Sequence, residues 1–384
     1  MKISADWLNK PSTRLVMESL ASKGYQAYFV GGCVRNALLN TEATDIDIAT
    51  SAHPKKVLEV MESAGLKALP TGIEHGTVTI VADRRNYEIT TLREDIETDG
   101  RRAKVKFSES ILKDAKRRDF SINAIYSEQD GTIVDPLDGI ADIFEKRIKF
   151  IGDPYARIKE DYLRILRFFR FLALFGKEDE THKIEIAALN DLKDGLDTVS
   201  AERKSDEILK LFTAPNLKYS IFLMEKANIS PKIFDAYDYE SLSNLKKLED
   251  RFEVSPCATR HLAAYTEDDL KSNLRFSNKL VKAHKVLREE AKSQKDAAEL
   301  SYRYNEKIAL DSILVRSSLN GTEPSENVFS RIKLGSVSKF PVKSSDLTEY
   351  FSGPKLGEML AYLEQKWIES DFTLNRKKLL YSIR

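Results

Sequence analysis

Asp45 and Asp47 are separated by one isoleucine in the run GGCVRNALLNTEATDIDIAT (31–50), downstream of the pair Gly31 and Gly32. On a strand, alternate residues face the same way, so these two carboxylates project together while Ile46 and Ile48 turn into a core. Like charges held that close repel. Either the strand shows water two solvated acids, or a divalent cation such as Mg2+ sits between them, because hard oxygen ligands suit magnesium. Glu88, between Tyr87 and Ile89 in NYEITTL, reads either as a third member of that acid group or as an exposed strand residue. Gly31 and Gly32 follow the apolar run YFV and precede VRNALL, which places them in a strand-to-helix turn. Glycines there let backbone N–H groups approach a phosphate closely. Arg35, one turn further on, adds a charge-assisted contact to such an anion.

A second group of polar residues lies in KRRDFSINAIY (116–126) and EDYLRILRFFRFLA (160–173). Asp161 and Arg164 are three apart in a helical pattern and are expected to share a face. One reading is an intrahelical ion pair on an amphipathic helix whose Leu163, Leu166 and Phe169 fill the core. The other is base recognition. Cytosine and adenine each present an exocyclic amine beside a ring-nitrogen acceptor, which an Asp acceptor next to an Arg donor complements. Guanine and uracil present the reverse, and buried mismatches of that kind discriminate by ~10⁴ or more. Arg117, Arg118, Asp119 and Asn123 read as either a solvated charge cluster or part of a ligand site. SAERKSDEILKLF (200–212) is expected to be a helix capped by Ser200, supporting its neighbours without chemistry of its own. His75 in GIEHGTV is expected to be a packed strand-turn residue.

The elements that must position these groups change character near residue 137. Before it, short β-rich runs (YFVGG, DIDIAT, HGTVTIVA, NYEITTL, AKVKFS) alternate with helical stretches such as HPKKVLEVMESAG, the pattern of an α/β domain. After it, apolar residues recur at three- and four-residue spacing, punctuated by breaks at 152–154, 214–216 and 255–256. At 384 residues and 42% hydrophobic content the chain can bury a large core, in two or three domains. Lys and Arg number 61 against 60 Asp and Glu, so no global basic field marks a nucleic-acid partner, and such binding must rest on local patches. Lys279, Lys282, Lys285 and Arg288 are candidates for one. Two cysteines and five histidines, scattered, provide neither a disulfide framework nor a zinc spacing. The N-terminal MKISADWLNK lacks an apolar signal region and no run approaches the ~18 apolar residues of a membrane span. The expected location is the cytoplasm, with no membrane partner.

A glycine-pair turn followed at this distance by an hDhDh strand resembles the nucleotidyltransferase superfamily that includes DNA polymerase beta. GGCVRN, DIDIAT, KRRDFSINAIY, DPLDGIADI, EDYLRILRFFRFLA and SAERKSDEILKLF, in that order over roughly residues 25 to 215, resemble the motif series of the class II CCA-adding enzymes. The resemblance implies an α+β protein: a catalytic nucleotidyltransferase head over 1–137, a helical neck over 138–213 that recognises the base, and a helical body and tail over 214–384 that bind tRNA. It implies template-independent addition of CCA to tRNA 3' ends from CTP and ATP, with pyrophosphate released. Asp45 and Asp47 would hold two magnesium ions, with Glu88 as a third acid. Gly31, Gly32 and Arg35 would hold the triphosphate, and Arg117, Arg118, Asp119 and Asn123 would lie beside phosphates and sugar. Asp161 and Arg164 would read the base, with Arg167 and Arg170 near it. The segment 91–107, dense in charge around Gly100, matches a loop that the family needs for adding A. The rivals are an enzyme that adds only CC or only A, a bacterial poly(A) polymerase, and a non-catalytic RNA-binding relative. Where a poly(A) polymerase carries a basic GRRF-like element, this chain has TGIEHGTVTI. One departure from the family is Asn36, which stands where Asp is usual: it keeps an acceptor but supplies no charge.

Overall fold

The computed structural model describes all residues except 44, 100–101, 179–181, 273 and 384, and of residues 95–104 only the backbone. The chain forms two compact units, one made of Met1–Ala236 with Leu270–Phe276 and the other of Tyr237–Asp269 with Ser277–Arg384. The expected α+β division is present. Described strands end at Val134, and the named elements beyond are helices.

The first unit is built on a seven-stranded sheet in the order β3-β4-β5-β2-β1-β8-β9. Its strands are β1 (Ala27–Val30), β2 (Ile46–Thr50), β3 (Lys67–Gly72), β4 (Thr77–Ala82), β5 (Arg85–Thr91), β8 (Tyr126–Ser127) and β9 (Ile133–Val134). Strands β6 (Arg93–Asp99) and β7 (Arg102–Phe107) pair separately as an antiparallel hairpin. Gly100, at the centre of the charged segment singled out in the sequence, lies outside the described residues. Pairing in the large sheet is antiparallel except between β2 and β5, whose parallel register sets Asp47 opposite Glu88.

Helices α1 (Pro11–Ala21) and α3 (Pro54–Ser63) pack against each other and on the sheet. Val16, Leu20, Val57 and Met61 from them are buried, as are Ile46, Ile48, Val78, Ile80, Tyr87 and Ile89 from the strands. Alternation along β5 buries Tyr87 and Ile89 and leaves Glu88 exposed between them. The Tyr87 hydroxyl is met by Ser12 Oγ at 2.9 Å and Thr13 Oγ1 at 3.0 Å, so its polar end is satisfied inside the core.

Around the sheet lie α2 (Gly32–Leu38), α4 (Ile111–Arg117) and α5 (Gly139–Phe144), followed by α6 (Pro154–Glu160), α7 (Arg164–Phe175), α8 (Lys183–Asp191), α9 (Ala201–Leu211) and α10 (Leu217–Lys226). Phe120 is the hub between these parts, with ring centroids 4.7 Å from Phe150 and 5.3 Å from Phe171 of α7. Such aromatic packing fixes the KRRDFSINA segment against α7.

The second unit is helical: α11 (Tyr239–Arg251), α12 (Ala258–Tyr265), α13 (Asn278–Lys292), α14 (Ala297–Arg303), α15 (Glu306–Asn320), α16 (Val328–Val337), α17 (Pro354–Glu369) and α18 (Arg376–Tyr381). Glu249, Arg260, His261 and Asp311 form a buried, mutually hydrogen-bonded group joining α11, α12 and α15. The four basic residues singled out in the sequence lie on α13. Of these, Arg288 is committed to the Ala263 carbonyl and Glu267, and Lys285 pairs with Glu289.

Candidate active site

Gly31 follows β1 and precedes α2 with φ +73°, a conformation that costs glycine nothing and a side chain much. A Cβ placed there would come 3.5 Å from Arg118 Nη1, 3.7 Å from the Asn123 carbonyl oxygen and 3.8 Å from Asp47 Oδ2. The glycine turn, the strand acid and the KRRDFSINA segment therefore converge at one point. Asp47 is half-buried on β2, flanked by the fully buried Ile46 and Ile48 as expected from the strand pattern, whereas Asp45 lies one residue before the strand and is exposed. Burial, reinforced by the charges of Glu88 and Asp45 and opposed by Arg118 and Arg35, pushes the Asp47 carboxyl up to about 6. Cys33 lies behind it, donating to the Asp47 and Val30 carbonyls, and burial pushes its thiol up to about 12, which makes it inert as a nucleophile.

Arg117 and Arg118 share one buried acid. Asp114 accepts from Arg117 Nε at 2.7 Å, Arg118 Nη2 at 3.0 Å and the Tyr126 hydroxyl at 2.7 Å. Burial alone would raise its pKa, but Arg118 and Arg117 outweigh that and hold it well below the usual carboxylate range. Asp114 was absent from the sequence reading. Its signal was present: it precedes Arg117 by three residues and Arg118 by four, the spacing of helical neighbours.

Asp119 likewise has its oxygens in use. One accepts from Asn123 Nδ2 at 3.1 Å and the other from Arg167, whose Nε lies 2.7 Å away. Arg167 and Arg170 both approach Glu207 of α9, at 3.5 Å and 2.7 Å, the second close enough for an ion pair though not aligned as a hydrogen bond. Arg35 is buried, stacks over Phe175 with its guanidinium carbon 4.2 Å from the ring centroid, and donates to Asn123 Oδ1 and Asn36 Oδ1. Burial, with Arg170 and Arg167 nearby, lowers its pKa to about 10.

The expectation that Asp161 and Arg164 share one helix face is corrected here. Asp161 ends α6 in an extended conformation (φ −157°, ψ 105°), and Arg164 opens α7. The Asp161 carboxylate accepts from the Leu163 N–H at 3.2 Å, the local side-chain bond by which aspartate competes with helix continuation. The two side chains take different partners. Arg203 of α9 grips Asp161 through two hydrogen bonds, of 3.2 and 2.7 Å, whereas Arg164 donates to Glu160 and to the Arg157 carbonyl. Arg203 and Glu207 both come from the helix assigned no chemistry in the sequence. Ser200 caps it as expected, accepting from the Arg203 N–H. His75, expected to be packed, is exposed on a short 3-10 turn.

A glycine turn facing a strand acid across a mixed sheet, with arginines converging on it, has the layout of a nucleotidyltransferase head. In agreement, the family described as the Poly A polymerase head domain matches residues 27–149. The mouse mitochondrial CCA tRNA nucleotidyltransferase 1 is 30% identical over 385 residues, covering 96% of this chain and 88% of that protein. The CCA-adding enzyme of Streptococcus gordonii is 31% identical, covering 91% of this chain and 90% of its own. The crystal structure of the Bacillus stearothermophilus CCA-adding enzyme in complex with CTP superposes with a TM-score of 0.72 at 26% identity, covering 94% of each chain. The chain belongs to the CCA-adding tRNA nucleotidyltransferases. Among the described residues no helix is long and apolar enough to cross a membrane.

Proposed function

We propose that this enzyme completes tRNA 3' ends by adding C, C and A from CTP and ATP, using Asp45, Asp47 and Glu88 as its acid face. The observation that carries the assignment is the convergence of Asp47, Arg118 and the Asn123 carbonyl over the side-chain-free Gly31. The acid face suits a hard divalent cation. Its donors are carboxylate oxygens, and Glu88 and Asp45 repel the Asp47 charge enough to help raise its pKa. Among the described residues no group of three His, Cys, Asp or Glu is arranged to hold a metal ion by itself, so the cation would be held by one or two of these carboxylates together with water and substrate phosphate, the manner in which magnesium binds. When bound, magnesium supplies charge neutralisation at the triphosphate and lowers the pKa of an attached hydroxyl.

The rest is the work of the chain. Gly31 and Gly32 leave room for the triphosphate beside Arg118, which Asp114 and Tyr126 hold in place. Arg117 is held by the same carboxylate. Asp119 and Asn123, tied to Arg167 and Arg35, form the wall on which the sugar rests. Asp161 and Arg164 read the base after exchanging their present partners, Arg203 and Glu160, for its Watson–Crick edge. The helical residues beyond 213 grip the tRNA by shape and phosphates. A cytoplasmic location is part of this proposal, supported by two cysteines that are free thiols.

The test is addition assayed at single-nucleotide resolution, with magnesium, on tRNAs ending at the discriminator base, C or CC, with CTP and ATP supplied singly and together. Complete CCA on all three substrates is the expected result. Arrest after CC, or addition of A alone, would assign one of the partial activities, and a run of A residues would assign a poly(A) polymerase.

A further inference from the structure

Asn36 sits between two groups with opposite hydrogen-bonding needs. Arg35 Nη2 donates to its Oδ1 at 3.0 Å, and its own Nδ2 donates to the Glu42 carbonyl at 2.9 Å. A guanidinium only donates and a carbonyl only accepts, so the two partners fix the orientation of the amide. A carboxylate at this position would satisfy Arg35 but turn an acceptor toward the Glu42 oxygen. The Asn36 backbone carbonyl also accepts from the Thr41 N–H at 2.9 Å, so residue 36 is bound twice to the segment leading to Asp45.

The amide has a consequence for Arg35. That residue is 8% exposed, and both hydrogen-bond acceptors of its guanidinium, Asn36 Oδ1 and Asn123 Oδ1, are neutral. Its Nε has no hydrogen-bond partner among the described residues. Asn123 continues to Asp119, Asp119 to Arg167, and Arg167 with Arg170 to Glu207. Along this chain Arg167 and Arg170 each have a carboxylate in contact, whereas Arg35 has none hydrogen-bonded to it and interacts with Asp119 and Asp47 only through space. The guanidinium lies under the glycine turn, with Nη2 3.7 Å from where a Gly32 Cβ would stand.

We propose that Asn36 is a positioning residue that leaves Arg35 without a hydrogen-bonded carboxylate beneath the nucleotide's triphosphate and ties Arg35 to the segment leading to Asp45. The proposal rests on the reading that the glycine turn receives the triphosphate. A buried cation with only neutral hydrogen-bond acceptors, next to a polyanion site, strengthens anion binding without touching the base, so CTP and ATP gain equally.

The test uses the full chain, with inorganic tripolyphosphate as the probe in titration calorimetry, together with steady-state kinetics and thermal melts. Asn36→Asp adds a carboxylate beside Arg35. It is expected to weaken tripolyphosphate binding about fivefold or more at low salt and to raise KM for CTP and ATP by the same factor, with the melts showing the variant folded at the assay temperature. Asn36→Ala removes both side-chain hydrogen bonds and leaves the charge alone. Its tripolyphosphate affinity is expected to stay within about twofold of wild type, while kcat falls for both nucleotides as the tether to Glu42 is lost. Asn36→Asp binding as tightly as wild type overturns the proposal. So does an equal weakening in Asn36→Ala, which would assign the effect to lost hydrogen bonds. Failure of the wild-type protein to bind tripolyphosphate overturns the phosphate-site reading itself.

Discussion

The acids of this enzyme fall into two groups that behave oppositely. On the strands, Asp47 lies opposite Glu88 and two residues from Asp45, and its carboxyl is pushed up to about 6 by burial and by those neighbours. Among the helices, Asp114 and Asp119 are at least as buried, yet Arg118, Arg117 and Arg167 hold both well below the usual carboxylate range. Burial is common to both groups; the sign of the neighbouring charge differs. The helical acids are already neutralised and serve to hold arginines still. Asp47 faces further acids, whose repulsion a bound cation would relieve, and this difference separates a ligand site from its scaffold more clearly than the residue types do.

The sharpest way to break the comparison is to remove a strand acid. Asp45→Ala and Asp47→Ala are each expected to cut both CMP and AMP incorporation by about 10³-fold or more, with tRNA retention in a filter or gel-shift assay unchanged. Wild-type turnover in either variant would return these residues to the role of solvated strand acids. Asp161→Ala should relax discrimination against UTP and GTP by about 10²-fold while the acid face still works. Unchanged misincorporation, with only a lower melting temperature, would make Asp161 a structural partner of Arg203.

Replacing residues 94–103 of the β6–β7 hairpin by a short Gly/Ser linker is expected to slow addition of the terminal A by roughly tenfold or more and leave CC addition largely intact. One pocket must take a pyrimidine and then a purine, so a separate element must adjust it. Single-turnover addition of CTP to a tRNA lacking CCA, compared with ATP on a tRNA ending in CC, measures this; equal losses would assign the hairpin a general role. Arg203→Ala releases Asp161 without removing it, and a loss of discrimination of about fivefold, well below that of Asp161→Ala, is expected in the same misincorporation assay.

The smallest expected effect concerns stability. A carboxyl whose pKa is raised on folding favours the folded state fully below its unfolded value, near 4, and that contribution disappears as pH rises through about 6. Above pH 6 the metal-free protein therefore carries the cost of an ionised Asp47. Asp47→Asn should stabilise it there by about 1–2 kcal/mol and by little at pH 4, as read from urea melts without divalent ions. Added magnesium should narrow the gap from the wild-type side, and a pH-independent difference would count against the electrostatic origin.

Much of this was legible before folding. The alternation in DIDIAT fixed which side chains face the core, and Ile46 and Ile48 are buried as that pattern requires. The glycine pair, placed between an apolar run and a helical one, forms the strand-to-helix turn, because a residue without a Cβ takes φ +73° without strain. These are local properties, dictated by period, sterics and neighbours along the chain. The helix pattern through EDYLR misled because periodicity cannot register a carboxylate that bonds its own backbone and breaks the helix at Asp161. The partners that decide the state of each site residue were also beyond sequence reach. Arg203 meets Asp161 from 42 residues away, Arg167 meets Asp119 from 48, and Arg35 meets Asn123 from 88. Residue types and spacing along the chain determined which groups carry the chemistry. Only tertiary packing decided which of their charges are already matched, because the energy of a buried charge depends on neighbours in space that the order of residues does not record.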